Sequence, residues 1–240
     1  MNGTEEQCAD SAESFAVPAS TSTPRFFLWG ILMLLAVPLF GLVVHFPHVT
    51  HLDRSILDAL VAVRTPALTQ VMLVVTNVFA PLLAVSWTIV LGCVIRVLTG
   101  SWREGFVIPA AMVSSSAITA LIKEFIERIR PTFPERLVVE GSYSFPSGHT
   151  TAVAAACVAG VILILRHLGN RLPNNEGGPV PRLKGQVITG FVIAGAIALI
   201  VLIAFTRLYL GAHWFSDVVA GALVGTAASL IVAELLVGNT

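Results

Sequence analysis

The stretch "YSFPSGHTTAVAAAC", Tyr143 to Cys157, joins two kinds of chemistry. From Ala152 onward it is an alanine-rich apolar run that continues to Leu168, long enough for a bilayer core of about 20 helical residues. Its first turn, however, reads Pro-Ser-Gly-His at 146–149. Proline suits the start of a helix, where its missing N–H costs little. Ser147 and Gly148 offer backbone N–H groups at the positive end of the helix dipole, an arrangement that favours anions. His149 follows within the same turn, near enough to donate a proton to a bound group. Read by itself, the tetrapeptide fits a plain turn ahead of a span equally well.

The rest of the chain places that segment in a membrane. Of 240 residues, 55% are hydrophobic and 12% are charged, about half the charge share of a soluble domain. Fourteen basic and fourteen acidic side chains cancel, which argues against nucleic acid as a partner. The expectation is an all-α, polytopic membrane helix bundle of six transmembrane helices, Phe26–Phe46, Leu68–Leu98, Phe106–Lys123, Pro146–Leu168, Gln186–Phe205 and His213–Val237. Asn77 and Pro81 are potential kinks in the long second span. Between the first two spans, Ile56, Leu57, Leu60 and Val61 recur at helical spacing among Asp53, Asp58 and Arg64, which predicts a short amphipathic surface helix. "GNRLPNNEGGPVPRLKG", residues 169–185, reads as a loop. Residues 1–24 are polar and Ser/Thr-rich and are expected to be a disordered tail ahead of the domain formed by residues 25–240.

Two further segments carry polar groups at the edge of apolar runs. In "KEFIERIRP", Lys123 and Arg130 are seven residues apart, on one face if the helix continues to Pro131. Two cations snorkelling at a membrane boundary is the simpler explanation of that pair. In "TRLYLGAHWFSD", Arg207 precedes His213 and Asp217, which stand at i and i+4. A carboxylate there can hold one imidazole nitrogen and leave the other free to attack; the alternative is a structural His–Asp pair. With six spans, all three segments fall on one side of the membrane. Cations and amides to neutralise a phosphoryl group, a nucleophile oriented by a carboxylate, and a second histidine to protonate the leaving oxygen are the parts of phosphoryl transfer.

Lys-x6-Arg-Pro at 123–131, Pro-Ser-Gly-His at 146–149 and Thr-Arg-x5-His-x3-Asp at 206–217 together resemble the three-part signature of the type-2 phosphatidic acid phosphatase superfamily, which also contains the vanadium haloperoxidases. The third part usually opens Ser-Arg; here Thr206 keeps the hydroxyl. The resemblance implies catalytic roles for His213 as nucleophile, Asp217 as its orienting carboxylate, and His149 as acid and then base. It implies phosphate binding by Lys123, Arg130, Ser147, Gly148 and Arg207, with no metal and no cofactor. The implied partner is a membrane lipid phosphate or diphosphate: polyprenyl diphosphate, phosphatidic acid or phosphatidylglycerol phosphate. A phosphotransferase using the same phosphohistidine and a non-enzymatic transporter are the alternatives, the latter disfavoured because the charges gather at one rim.

Seven basic residues fall on the tail side and seven on the motif side. Setting aside Lys123, Arg130 and Arg207 as site residues leaves seven against four, which places the termini in the cytoplasm and the site on the extracytoplasmic side of the plasma (inner) membrane. The three cysteines, Cys8, Cys93 and Cys157, lack disulfide or zinc spacing. His45, His48 and His51 lack acidic or thiol partners and read as an interfacial loop; Trp87, Trp102 and Trp214 read as packing or interface markers, and Glu234 as interfacial. Oligomeric state is not encoded in any of these features.

Overall fold

A computed structural model describes residues 25–171 and 179–238. The polar tail, 1–24, lies outside the described residues. All regular structure among the described residues is helical: α1 (Arg25–Val43), α2 (Pro47–Ala62), α3 (Pro66–Val78), α4 (Pro81–Thr99), α5 (Trp102–Ile126), α6 (Gly148–Arg171), α7 (Pro179–Tyr209) and α8 (Phe215–Val237).

Five of these helices, α1 and α5 to α8, contain apolar stretches long enough to cross a bilayer. At 19 residues, α4 reaches about 28 Å, close to the hydrocarbon thickness, with a shorter apolar stretch of Leu83–Thr99. The expected surface helix is α2. The expected long second span divides in two, because Pro81 starts a new helix after a break at Phe79–Ala80. The first piece, α3, is bent by 120° from α2. Of the expected 169–185 loop, residues 172–178 lie outside the described residues, and the two flanks are helical rather than irregular. Helix α6 runs on to Arg171, and α7 begins at Pro179, where proline is tolerated in a first turn.

The inner helix is α8, packed against α1, α5 and α6. Leu28, Leu32, Leu35, Leu39 and Leu42 of α1 remain exposed, as they should on a face bathed in lipid. Between α6 and α8 the packing depends on small residues. A Cβ at Gly225 would lie 2.3 Å from the Thr151 carbonyl oxygen, and one at Gly221 would lie 2.6 Å from that of Ser147. Gly-x3-Gly on α8 lets two backbones touch where no hydrophobic force between helices is available. Ser229 Oγ donates to the Ala155 carbonyl at 2.8 Å. At the motif end, the Ser147 N–H donates to the Asp217 carbonyl at 3.0 Å. These contacts tie the first turn of α6 to the first turn of α8.

Candidate active site

His213 sits in the connection between α7 and α8. Gly211 turns this connection with φ of 64°, and a side chain there would strike the Glu135 carbonyl at 2.2 Å. Because α8 starts only at Phe215, His213 and Asp217 do not share a helical face as their spacing suggested. They meet through a helix cap. The Asp217 carboxylate folds back to accept the Trp214 N–H at 2.8 Å. The same Oδ2 lies 3.4 Å from His213 Nδ1 and accepts the Ser144 hydroxyl. Both residues are buried, Asp217 completely.

Arg130 also reaches the site by a different route from the one its spacing implied. Helix α5 stops at Ile126, and Glu127 adopts the left-handed conformation at φ of 51°. Arg130 therefore lies on an irregular segment, while Lys123 stays on the last turn of α5. Arg130 Nη1 donates to the Ala212 carbonyl at 2.7 Å and lies 3.0 Å from His213 Nε2. A guanidinium can only donate, so Nε2 accepts and the ring proton is on Nδ1, facing Asp217. Burial, opposed by the Asp217 hydrogen bond and reinforced by Arg130, pulls the His213 pKa well below its ordinary value, which keeps the ring neutral.

Lys123 donates to the Tyr143 carbonyl, and Arg130 Nε to that of Ser142 at 2.7 Å. A cavity of about 490 Å³ brings together Lys123, Arg130, Gly148, His149 and His213, with Glu140 and Ser142 beside them. Three of the expected residues lie behind this wall. Asp217 supports His213 from the far side. Ser147 is fully buried, its N–H spent on the Asp217 carbonyl rather than left free, and its hydroxyl accepts from Thr150 at 3.2 Å. Arg207 is 2% exposed; it donates to Thr76 Oγ1 at 2.9 Å and pairs with Glu140, while its Nε is buried without a partner. Glu140 thus stands between Arg207 and the cavity. Burial raises its pKa, but Arg207 and Arg130 outweigh that and hold the carboxyl below its usual range.

Several groups around His213 belong to no recognisable motif. Asp53, on α2, and Arg128 are buried and joined at 2.6 Å, and Arg128 also reaches Asp217 at 2.6 Å. Ser144, Ser216 and Glu140 were equally inconspicuous. Trp214 does more than mark an interface: its indole N–H holds the Ile129 carbonyl at 2.9 Å, and Arg128 lies over its ring at 5.7 Å.

The cavity is two-faced. Away from the cations it is walled by Phe79, Ala84, Val85, Met112 and Ala152. Phe79, Ala84, Met112 and Ala152 also line an apolar cavity of about 330 Å³ that extends to Trp87, Leu91, Cys157 and Leu199.

Residues 104–240 match the PAP2 superfamily. The chain is 33% identical over 184 residues to phosphatidylglycerophosphatase B of Bacillus subtilis (strain 168), covering 76% of this chain and 82% of that one. It is 30% identical over 133 residues to decaprenylphosphoryl-5-phosphoribose phosphatase of Mycobacterium tuberculosis, covering 54% and 60% of the two chains. The crystal structure of a transmembrane PAP2 type phosphatidylglycerolphosphate phosphatase from Bacillus subtilis superposes with a TM-score of 0.73 at 25% identity, over 88% of this chain and 97% of that one. That of Aquifex aeolicus LpxE shares the fold at a TM-score of 0.54 and 18% identity, over 79% and 97%. The chain belongs to the PAP2 superfamily and is an integral membrane enzyme, a phosphatase that hydrolyses phosphate esters of lipids.

Proposed function

We propose that the enzyme hydrolyses the terminal phosphate monoester of a membrane glycerolipid, with phosphatidylglycerol phosphate as the preferred substrate, through a phosphohistidine on His213. The observation that carries this reading is the two-faced cavity. Its polar end has Lys123, Arg130, His149 and His213 for a phosphate, and its apolar end continues between α4, α5, α6 and α7 for a hydrocarbon chain. The likeness to phosphatidylglycerophosphatase B supports the choice of headgroup. The site faces the extracytoplasmic side of the plasma membrane, in keeping with the basic residues that remain once the site cations are set aside.

The reaction follows from the tautomer. The phosphate enters and draws Arg130 from His213 Nε2 onto its own oxygens, leaving that lone pair in line with phosphorus. The Nε2–P bond forms as the ester P–O bond breaks, and His149 gives its proton to the departing lipid oxygen. The imidazolium so formed keeps its proton on Nδ1 against Asp217. Water then gives a proton to His149 and attacks phosphorus, the P–N bond breaks, and inorganic phosphate leaves. Lys123, Arg130, the Gly148 end of α6 and Arg207 hold the spread negative charge, with Ser147 and Asp217 fixing the frame.

The test is phosphate release from phosphatidylglycerol phosphate, phosphatidic acid and undecaprenyl diphosphate by the purified full chain in detergent, wild type beside His213→Ala. Wild type should release phosphate fastest from phosphatidylglycerol phosphate and carry an acid-labile phosphoryl label, while His213→Ala should do neither. Turnover by His213→Ala near wild type would remove the mechanism. A kcat/KM roughly tenfold higher on the diphosphate would replace the substrate. A requirement for an added lipid acceptor would make the enzyme a transferase.

A further inference from the structure

Asp217 is clamped by a guanidinium, and that poses an electrostatic difficulty. An isolated Arg128–Asp217 pair carries no net charge, so it would do little for the positive charge that grows on His213 as its ring bonds phosphorus. Asp53 removes the difficulty. This carboxylate, 1% exposed, comes from α2 and accepts Arg128 Nη2 at 2.6 Å. It also accepts the Ser216 N–H at 2.9 Å and the Ser216 hydroxyl at 2.6 Å. The other arm of the guanidinium, Nη1, reaches Ser216 Oγ at 2.7 Å and Asp217 Oδ1 at 2.6 Å. Two carboxylates on one guanidinium leave a buried cluster with one net negative charge.

We infer that Asp53 is a positioning residue for phosphoryl transfer: by engaging the second arm of Arg128, it fixes Asp217 and preserves a net negative charge opposite His213. The inference rests on the roles proposed above for His213 and Asp217. It also assigns a purpose to α2, whose buried face carries Asp53 to the start of α8. The other charged or titratable groups around His213 are Arg130 and Glu140 on the irregular segment, Lys123 on α5, His149 on α6 and Arg207 on α7. All are left intact in the variants that test the idea.

The experiment is the pH profile of kcat/KM for the full chain in detergent, with dioctanoyl phosphatidic acid as substrate. The ionisation of the substrate is common to every variant, so differences between profiles belong to the protein. Asp53→Asn brings the cluster to zero net charge. The imidazolium of His213 is then less favoured, so the acid limb moves to lower pH by roughly half a unit or more, and the plateau falls about tenfold. Arg128→Gln leaves two negative charges and moves the limb upward. Asp53→Asn with Arg128→Gln restores one negative charge and returns the limb to the wild-type position. A role confined to stability lowers the amount of active enzyme without ordering the limbs by charge. Coincident limbs in all variants, or a double variant displaced further than either single one, overturns the inference. If Asp53→Asn does not fold, Arg128→Gln decides alone: a limb moved upward supports the inference and an unmoved limb overturns it. His213→Ala, assayed alongside, reports on the phosphohistidine reading separately, since turnover there would defeat the mechanism rather than the part played by Asp53.

Discussion

Replacing Gly225 by alanine adds one methyl group on α8, well beyond Asp217 along the helix, and should nonetheless cripple the enzyme. The new Cβ would sit 2.3 Å from the Thr151 carbonyl oxygen and 2.8 Å from both Ala154 Cβ and Ala155 N. Ordinary contact begins at 3.4 Å. The neighbours are mainly backbone, so the helices must part by about 1 Å. Overpacking of this kind costs roughly 1–3 kcal/mol. The larger effect is on catalysis, because α6 carries His149 and α8 follows His213. The Ser147–Asp217 hydrogen bond that joins the two first turns, now 3.0 Å, would be stretched toward breaking. A displacement of 1 Å between reacting groups costs on the order of 100-fold in rate. Phosphate release in detergent should therefore show kcat/KM down by about that factor, together with a lower Tm. Gly160→Ala, on the same α6, meets nothing within 4 Å and should leave both unchanged. A Gly225→Ala enzyme with wild-type kcat/KM would refute the claim that close helix contact sets the distance between the two histidines.

Two further predictions concern the cavity and the buried ring. Ala152 lines both the catalytic cavity and the apolar one beyond it, so Ala152→Phe should raise KM for a long-chain lipid phosphate by roughly tenfold or more while sparing a water-soluble phosphate monoester; equal losses on both substrates would place the hydrocarbon chain elsewhere. His213 is held neutral, with its folded pKa below the ordinary 6.5. The unfolded chain then takes up a proton that the folded chain refuses, so stability declines as pH falls below about 6.5, until the folded pKa is crossed. Thermal unfolding of His213→Gln should show a shallower loss over that window than wild type.

The helical layout was legible because it depends on local chemistry: runs of about 20 apolar residues carry their meaning within a few turns of chain. The polar motifs stood out as residue patterns, but the helix expected to open at Pro146 opens at Gly148, and His213 meets Asp217 through a cap rather than along a helix face. What the sequence hid were contacts between distant segments and one local reversal. Asp53 looks like the polar face of an amphipathic helix, indistinguishable from Asp58, yet one is buried on Arg128 and the other pairs with Arg54 in solvent. Only the fold, which lays α2 against the start of α8, separates them. Arg128 looked like one of several boundary cations. The left-handed turn at Glu127 lacks the glycine or asparagine that would have announced it, so the Lys123–Arg130 spacing read as continuous helix.

The cations at this rim differ in what neutralises them, and that difference indicates which are available to substrate. Arg128 is saturated by two carboxylates and has nothing left to offer a phosphate. Lys123 and Arg130 are instead held by carbonyl oxygens of Tyr143, Ser142 and Ala212. Those dipoles orient the charges without cancelling them, and leave their field to act on the cavity at little cost in reorganisation. Arg207 is intermediate, bound to Thr76 and to a single carboxylate, Glu140, that also borders the cavity. A phosphate dianion arriving beside Glu140 places like charges together. In the proposed mechanism the carboxylate then withdraws or takes up a proton, which frees Arg207 to turn toward the ligand. Resting pairing with Glu140 thus lets a fully buried guanidinium exist without substrate, which an unpaired charge at the membrane boundary could not do cheaply.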